Sequence, residues 1–223
     1  MTGIVAVTGA AGALGRKTVE ILGAAGWTVV GIDLGEVAAD GVALALGGVD
    51  LTDEAAMAGA AARISDELGQ LDGLVNIAGG FAWETVADGS VATWDRLYAM
   101  NVRTALIASR ALLPLLTASG GAIVNIGAAA ATKAAAGMGA YAASKSGVAR
   151  LTEALAEEVK AQGVRVNAIL PSILDTPANR ADLPDADFGN WVTPTQLAGV
   201  AAFLLSPAAD AITGALIPVT GRV

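Results

Sequence analysis

Short runs of consecutive apolar residues alternate along the chain with longer stretches in which apolar positions recur every three or four residues. The apolar runs fall at residues 3–8, 27–33, 44–49, 71–77, 122–126, 164–170 and 215–219, the third being the weakest. Unbroken apolar runs, rather than apolar–polar alternation, are what strands covered on both faces require. Helical periodicity occupies residues 14–25, 53–68, 93–116, 141–162 and 193–205. The last of these opens with Thr193-Pro194-Thr195-Gln196, a Thr cap, a Pro in the first helical position and a Gln in the third. Alternating strands and helices predict an α/β fold, doubly wound, in one domain spanning 1–223, with a mostly parallel sheet of about seven strands. Residues 171–192 break the alternation. They are irregular, acidic and Pro-containing, and a loop of that length is expected to be functional or mobile. Leu183, Phe188 and Trp191 are placed to give it an apolar underside, as a lid needs.

Composition narrows the chemistry. At 223 residues, 54% hydrophobic and 15% charged, the chain has ample material for one core and none of the profile of a disordered segment. A net charge of −8 argues against nucleic acid and anionic membranes as partners. There is no cysteine, hence no disulfide or thiol chemistry, which suits a cytoplasmic protein. There is no histidine either, so the commonest metal ligand and general base are both missing. No metal site is expected, and no transmembrane or signal segment is evident.

Two stretches carry candidate chemistry. Gly9-Ala10-Ala11-Gly12-Ala13-Leu14-Gly15 lies between the first strand and the first helix. Glycines there permit a tight turn and let backbone N–H groups approach a diphosphate at the helix N-terminus, so Gly9, Ala11, Gly12, Ala13, Leu14 and Gly15 are candidate cofactor contacts. Asp33 closes the second strand, where a carboxylate can accept hydrogen bonds from an adenosine ribose and repel a 2′-phosphate. Leu34 follows, rather than a cation able to hold that phosphate. NAD(H) is therefore favoured over NADP(H). Asp50, Leu51 and the turn Asn76-Ile77-Ala78-Gly79-Gly80 fall on the same strand-end edge, with Phe81 and Trp83 next in line to wall a pocket.

The second stretch is Tyr141-Ala142-Ala143-Ser144-Lys145. The phenol and ammonium are one helical turn apart on one face. A Lys cation beside a Tyr favours the phenolate and is expected to bring a pKa of ~10 toward working range, suiting the pair to proton transfer. Alone, the pentapeptide reads more readily as an ordinary helix surface, and Asn101 reads as a solvated mid-helix Asn.

Together these features resemble the short-chain dehydrogenase/reductase family over the whole length. The matching stretches are Thr8 to Gly15, Asp33, Asp50-Leu51, Asn76 to Gly79, Asn101-Val102, Ile123 to Ile126, Tyr141 to Lys145, Pro171 to Thr176 and Ile212-Thr213-Gly214. The resemblance implies a Rossmann fold, with a cofactor half at about 1–120 and the catalytic helix and substrate loop at about 121–223. It implies a nicotinamide cofactor and a small-molecule substrate. Tyr141 would be the proton donor or acceptor. Lys145 would bind the nicotinamide ribose and lower the Tyr pKa, and Asn101 would hold a relay water. Asn76, Ala78 and Gly79 would line the cofactor, Asp50 and Leu51 the adenine, and Pro171, Ile173 and Thr176 the nicotinamide side. It also implies a homodimer or homotetramer through the helices carrying Asn101 and Tyr141, using Ala105, Leu106, Ala108, Leu112, Val148, Leu151 and Leu155.

The chain departs from that pattern in three places. The first-turn glycines are spaced differently, and the tail is Val219-Thr220-Gly221-Arg222. The position 13 residues before Tyr141, where the family has its catalytic Ser, is Ala128. A missing polarising donor costs ~2.7–4 kcal/mol of transition-state stabilisation, unless Thr132 or the substrate compensates. The departure is similar to the dihydropteridine reductase subgroup, which has Ala there and a comparable tail through Pro184–Phe188 and Trp191. That similarity implies a pterin-like or quinonoid acceptor, with Ala128, Phe81 and Trp191 in the substrate pocket. A general carbonyl reductase or alcohol dehydrogenase with a weakened site, and a cofactor-binding protein without turnover, are the alternatives.

Overall fold

In the computed structural model, which describes residues 3–223, seven strands form one sheet in the order β3-β2-β1-β4-β5-β6-β7, with every neighbouring pair parallel. They are β1 (Ile4–Thr8), β2 (Thr28–Ile32), β3 (Leu44–Leu46), β4 (Gly73–Asn76), β5 (Ala122–Ile126), β6 (Arg165–Pro171) and β7 (Leu216–Val219). The sheet is all-parallel, where the sequence predicted mostly parallel. The reason is visible in the connections. Each crossover carries either a helix or, between β2 and β3, a loop long enough to return the chain to the same end.

The apolar runs are buried on both faces because helices cover both. Ala6, Leu74 and Ile123 point to one side, where they join Met57 and Ile64 of α2 (Glu54–Leu68), Leu112 and Leu116 of α4 (Thr104–Ser119) and Leu155 of α5 (Gly139–Val159). Their strand neighbours Val5, Val7, Val75 and Val124 point to the other. There they meet Leu14, Val19 and Leu22 of α1 (Ala13–Ala24) and Leu197 and Leu204 of α7 (Pro194–Leu205). Local signals set the helix ends. Asp53 accepts from the Ala55 N–H at the start of α2, Thr193 and Gln196 form the reciprocal capping box of α7, and Gly69 and Gly120 end α2 and α4 in the left-handed region.

Three expectations are corrected. The helical stretch predicted over 93–116 is not one continuous α-helix. It is α3 (Val91–Tyr98), a π turn over Ala99–Arg103, and α4. Residues 171–192 are only partly irregular. They contain the short helix α6 (Pro177–Asp182), capped by Thr176, and a bridge between Leu174 and Val192 closes the loop's stem. Leu183 is exposed rather than on the loop's underside, whereas Trp191 is buried. Finally, Ala105, Ala108, Leu112, Val148 and Leu155 are consumed by the chain's own core. Small and aliphatic residues on these helices pack on the sheet. Of the expected residues Leu106 is exposed, and the other exposed large apolar residues on these helices are Val91, Trp94 and Tyr98.

The chain reverses its direction of winding between β1 and β4: β1 leads outward to β2 and β3, then the chain returns to add β4 on β1's other side. At such a switch point the two sets of connections splay apart and leave a crevice beyond the strand C-termini. Helix α1 leaves β1 there at very close range. A Cβ at Gly15 would overlap the Gly9 carbonyl oxygen, and Gly9 itself has φ +67°. The Gly15→Ala protein is therefore expected to lose at least about 2 kcal/mol of stability, read from the shift in urea midpoint at unchanged slope.

Candidate active site

The glycine turn and the end of β2 are tied together before any ligand is considered. The Asp33 carboxylate accepts from the Ala11 N–H at 2.9 Å through one oxygen and from the Gly35 N–H at 2.8 Å through the other. Each oxygen retains acceptor capacity for a further donor. Helix α1 starts at Gly12 with no side chain capping it, unlike α2, α3 and α7, whose Asp53, Ser90 and Thr193 occupy their own first-turn N–H groups. Its N-terminus thus opens onto the crevice with free donors and the positive end of the helix dipole. The crevice has a volume of about 600 Å³. It is lined by Gly9, Ala11, Gly12, Ala13, Leu14, Gly15, Asp33, Leu34, Asp50, Leu51, Ala78 and Gly79 among the expected residues, and additionally by Val49, Thr52, Ile77, Met100 and Thr104. The added apolar residues neighbour expected ones along the chain, but no motif marks them.

Asn76 lies beneath this crevice rather than on its wall. Its Nδ2 donates to Ser109 Oγ and Asn125 Oδ1, and Asn125 Nδ2 continues the chain to Thr152 Oγ1, so four buried polar groups stitch β4 and β5 to α4 and α5. Asn76 Oδ1 is buried without a partner.

Past the crevice, Asn101, Ser144 and Lys145 converge on the Gly79–Gly80 turn. Asn101 Oδ1 accepts from the Gly80 N–H at 2.9 Å, and its Nδ2 donates to the Gly80 carbonyl at 3.1 Å and to Ser144 Oγ at 2.9 Å. Ser144 Oγ donates in turn to the Tyr141 carbonyl at 2.7 Å. Both Nδ2 hydrogens of Asn101 are thus spent on the protein, while Oδ1 keeps one acceptor site. The π turn around it is the local distortion that lets a mid-helix amide face inward. A Cβ at Gly79 would overlap Asn101 Oδ1 and lie 3.5 Å from Lys145 Nζ, which explains the glycine there.

The Tyr141–Lys145 pair also differs from expectation. Lys145 Nζ is buried and donates to the Ile126 carbonyl at 2.8 Å. Burial pushes its pKa down to about 8. Burial pushes the Tyr141 phenol up to about 12, with no opposing effect from the Lys cation. The phenolate-favouring influence expected from spacing alone is therefore absent in the ligand-free protein.

Phe81 packs edge-to-face on Tyr141, ring centroids 4.9 Å apart. Ala128 is buried at the end of β5 and offers no donor. Thr132 does not replace it, because its hydroxyl donates to the Ala129 carbonyl. Pro171 ends β6 at the same sheet edge; the Ile173 carbonyl accepts from Val192, and Thr176 caps α6. Trp191 packs on Phe188, which in turn lies under the Arg180 guanidinium, itself paired with Asp175. Among the described residues no group of His, Cys, Asp or Glu could hold a metal, and no helix is long and apolar enough to cross a membrane.

A glycine turn with an uncapped helix N-terminus at a β1/β4 switch point, and a Tyr and a Lys one helical turn apart beyond it, is an arrangement suited to a dinucleotide-dependent oxidoreductase. A family model for short chain dehydrogenase matches residues 3–187. A Xanthobacter autotrophicus protein named "Inactive 2-(S)-hydroxypropyl-CoM dehydrogenase 2" is 37% identical over 94% of this chain and 90% of its own length. D-threitol dehydrogenase of Mycolicibacterium smegmatis is 34% identical over 96% and 90%. The ligand-free aldohexose dehydrogenase of Thermoplasma acidophilum superposes with a TM-score of 0.90 at 25% identity, covering 99% of this chain and 93% of that one. The chain belongs to the short-chain dehydrogenase family and is an NAD(P)-dependent oxidoreductase.

The depressed Lys145 pKa has a measurable consequence. Between pH 8 and 10.5 the unfolded chain holds a proton on this lysine that the folded one lacks. Stability of the cofactor-free protein should thus gain a contribution that rises with pH through that window, while below pH 8 the burial penalty is fully present. In urea melts at about pH 7.5 and about pH 10, that increment is expected in the native sequence and absent in Lys145→Met.

Proposed function

We propose that the protein is an NADH-dependent reductase acting on an unsaturated acceptor that does not need a serine donor, with pterin-like and quinonoid compounds as the first class to examine. Bound NADH supplies the hydride. The protein's part is to hold the acceptor against Tyr141, whose hydroxyl gives a proton to the acceptor's heteroatom and regains one from solvent. Lys145, a cation at neutral pH, is positioned by Ile126 and Gly79 to take the nicotinamide ribose. The observation that carries this reading is the pairing of a protonated, half-buried phenol at Tyr141 with a donor-free Ala128. Ketone and alcohol chemistry leans on a second donor; an electron-poor ring does so less.

The preference for NADH rests on Asp33 and on a second cavity of about 450 Å³, which shares Ala11 with the crevice. Its lining includes Arg16 but also Glu20, Glu36 and Asp40, so a 2′-phosphate would meet three carboxylates and one cation. Two relatives carry alcohol-dehydrogenase names, which favours a carbonyl substrate. One is named inactive, and the loss of the donor at Ala128 fits a binding protein without turnover. The decisive assay follows NADH at 340 nm with quinonoid dihydropterin, a quinone and a simple ketone. Turnover of a ring acceptor that drops about 100-fold or more in Tyr141→Phe is expected. A ketone rate that exceeds the ring rates and rises in Ala128→Ser selects the carbonyl reductase instead, and NADH binding with no turnover selects the binding protein.

The outward stripe of Val91, Trp94, Tyr98 and Leu106 is the surface proposed for a homodimer, which a second such contact would extend to a tetramer. Light scattering is expected to give at least twice the mass of one chain for the native sequence and the mass of one chain for Trp94→Glu.

A further inference from the structure

The polar groups around Tyr141 are unusually well accounted for. Trp83 Nε1 donates to the Ala136 carbonyl, Asn101 is committed to Gly80 and Ser144, Ser144 to Tyr141's own carbonyl, Lys145 to Ile126, and Thr132 to Ala129. The Tyr141 hydroxyl has no hydrogen-bond partner among the described residues. With the remaining Lys145 N–H donors proposed above for the nicotinamide ribose, an acceptor arriving here finds the Tyr141 hydroxyl and, beside it, the Phe81 ring. Phe81 is 53% exposed and Trp83 61% exposed, although both are held in place.

They are held by backbone as much as by packing. Both the N–H and the carbonyl of Gly80, the residue before Phe81, are bonded to the Asn101 amide, and a Cβ at Gly80 would overlap the Met100 methyl. Trp83 lies on Gly137, where a Cβ would overlap the indole, and the Glu84 N–H donates to the Gly137 carbonyl at 2.8 Å. The 80–84 segment is thus fastened at both ends. With the indole N–H spent on Ala136, Trp83 offers a ring face and no donor.

We propose that Phe81 and Trp83 form a fixed aromatic lip that selects flat, largely apolar ring acceptors bearing one polar reacting atom, with Phe81 the specificity-determining residue. The proposal rests on the hydride-transfer reading above and narrows it, favouring quinones over pterins and disfavouring polyols and sugars. A polyol would bring hydroxyls that must lose water against groups already paired, and such mismatches are heavily discriminated. A pterin carries several ring N–H and carbonyl groups with the same difficulty. A quinone has no N–H, carries two carbonyl oxygens of which one is at the reacting position, and offers a π face to Phe81. In the balanced reaction the quinone takes one hydride from NADH and one proton from Tyr141, giving the hydroquinone and NAD+, and Tyr141 regains its proton from solvent.

The test compares kcat/KM for menadione, quinonoid dihydropterin and dihydroxyacetone in the native sequence and in Phe81→Leu, which keeps apolar bulk and removes the ring. Menadione is expected to lead in the native protein, and its advantage over dihydroxyacetone to fall about five-fold in the variant. Dihydroxyacetone matching menadione, or an unchanged ratio in Phe81→Leu, would overturn the proposal. A second arm is independent of turnover. Binding of 2-naphthol, a flat ring with one hydroxyl, to the NADH-loaded protein is measured by calorimetry. The expected result is measurable binding that weakens about five-fold in Phe81→Leu. No binding, or binding indifferent to the substitution, overturns the lip. If every acceptor fails while 2-naphthol behaves as expected, the hydride-transfer reading has failed and the aromatic site stands.

Discussion

The close approach of helix α1 to strand β1 is the contact on which the rest of the structure depends. Gly15 sits so near the Gly9 carbonyl that no side chain fits between them, and Gly9 turns the chain through a conformation other residues avoid. That approach fixes where the first helix begins. Because Gly12 supplies no capping side chain, it also leaves the helix N-terminus facing the crevice. Asp33 is drawn into the same arrangement by the Ala11 N–H, so the glycine turn and the carboxylate at the end of β2 are positioned by one hydrogen bond. A disturbance at Gly15 would reach both.

A second constraint organises the reacting end. The Asn101 amide pairs with both backbone groups of Gly80 and reaches Ser144 on the Tyr141 helix. The π turn is what allows it, because one extra residue in the turn rotates the side chain inward from a helix that would otherwise carry it along its surface. Through this single amide, the turn bearing Phe81 and the helix bearing Tyr141 keep a fixed separation. The edge-to-face contact between the two rings follows from that spacing.

How much of this was legible in the sequence follows the range of the interactions. The strands are short buried runs whose residues decide their own fate, and Thr193 with Gln196 announces a helix start across three positions. The glycine turn and Asp33 were readable for the same reason: their meaning lies in strand–turn–helix order. Asn101 was not readable as a clamp, because its partner Gly80 is 21 residues away and nothing local marks a π turn. Lys145 was expected to act on Tyr141 from its spacing along the helix. The Ile126 carbonyl, 19 residues away in sequence, holds it instead. The helix residues expected at a subunit contact were misplaced because Ala and Leu serve a sheet-covering face and an outward face alike. Only the sheet's position reveals that Ala108 and Leu112 belong inside while Trp94 and Tyr98 do not.

Burial alone sets the two key ionisations in the ligand-free protein, and it sets them in a useful sense. A phenol near 12 and an ammonium near 8 are displaced in opposite directions by the same loss of water. At neutral pH the phenol nevertheless holds its proton firmly and the lysine remains a cation. A site prepared to abstract a proton would need the phenol lowered; a site prepared to deliver one needs it protonated on arrival of the acceptor. On the reading proposed above, the resting arrangement is poised for reduction. The absence of a donor at Ala128 points the same way. An alcohol must lose its proton with help from neighbours that are missing here, whereas an electron-poor ring can accept the hydride and leave only the protonation to Tyr141.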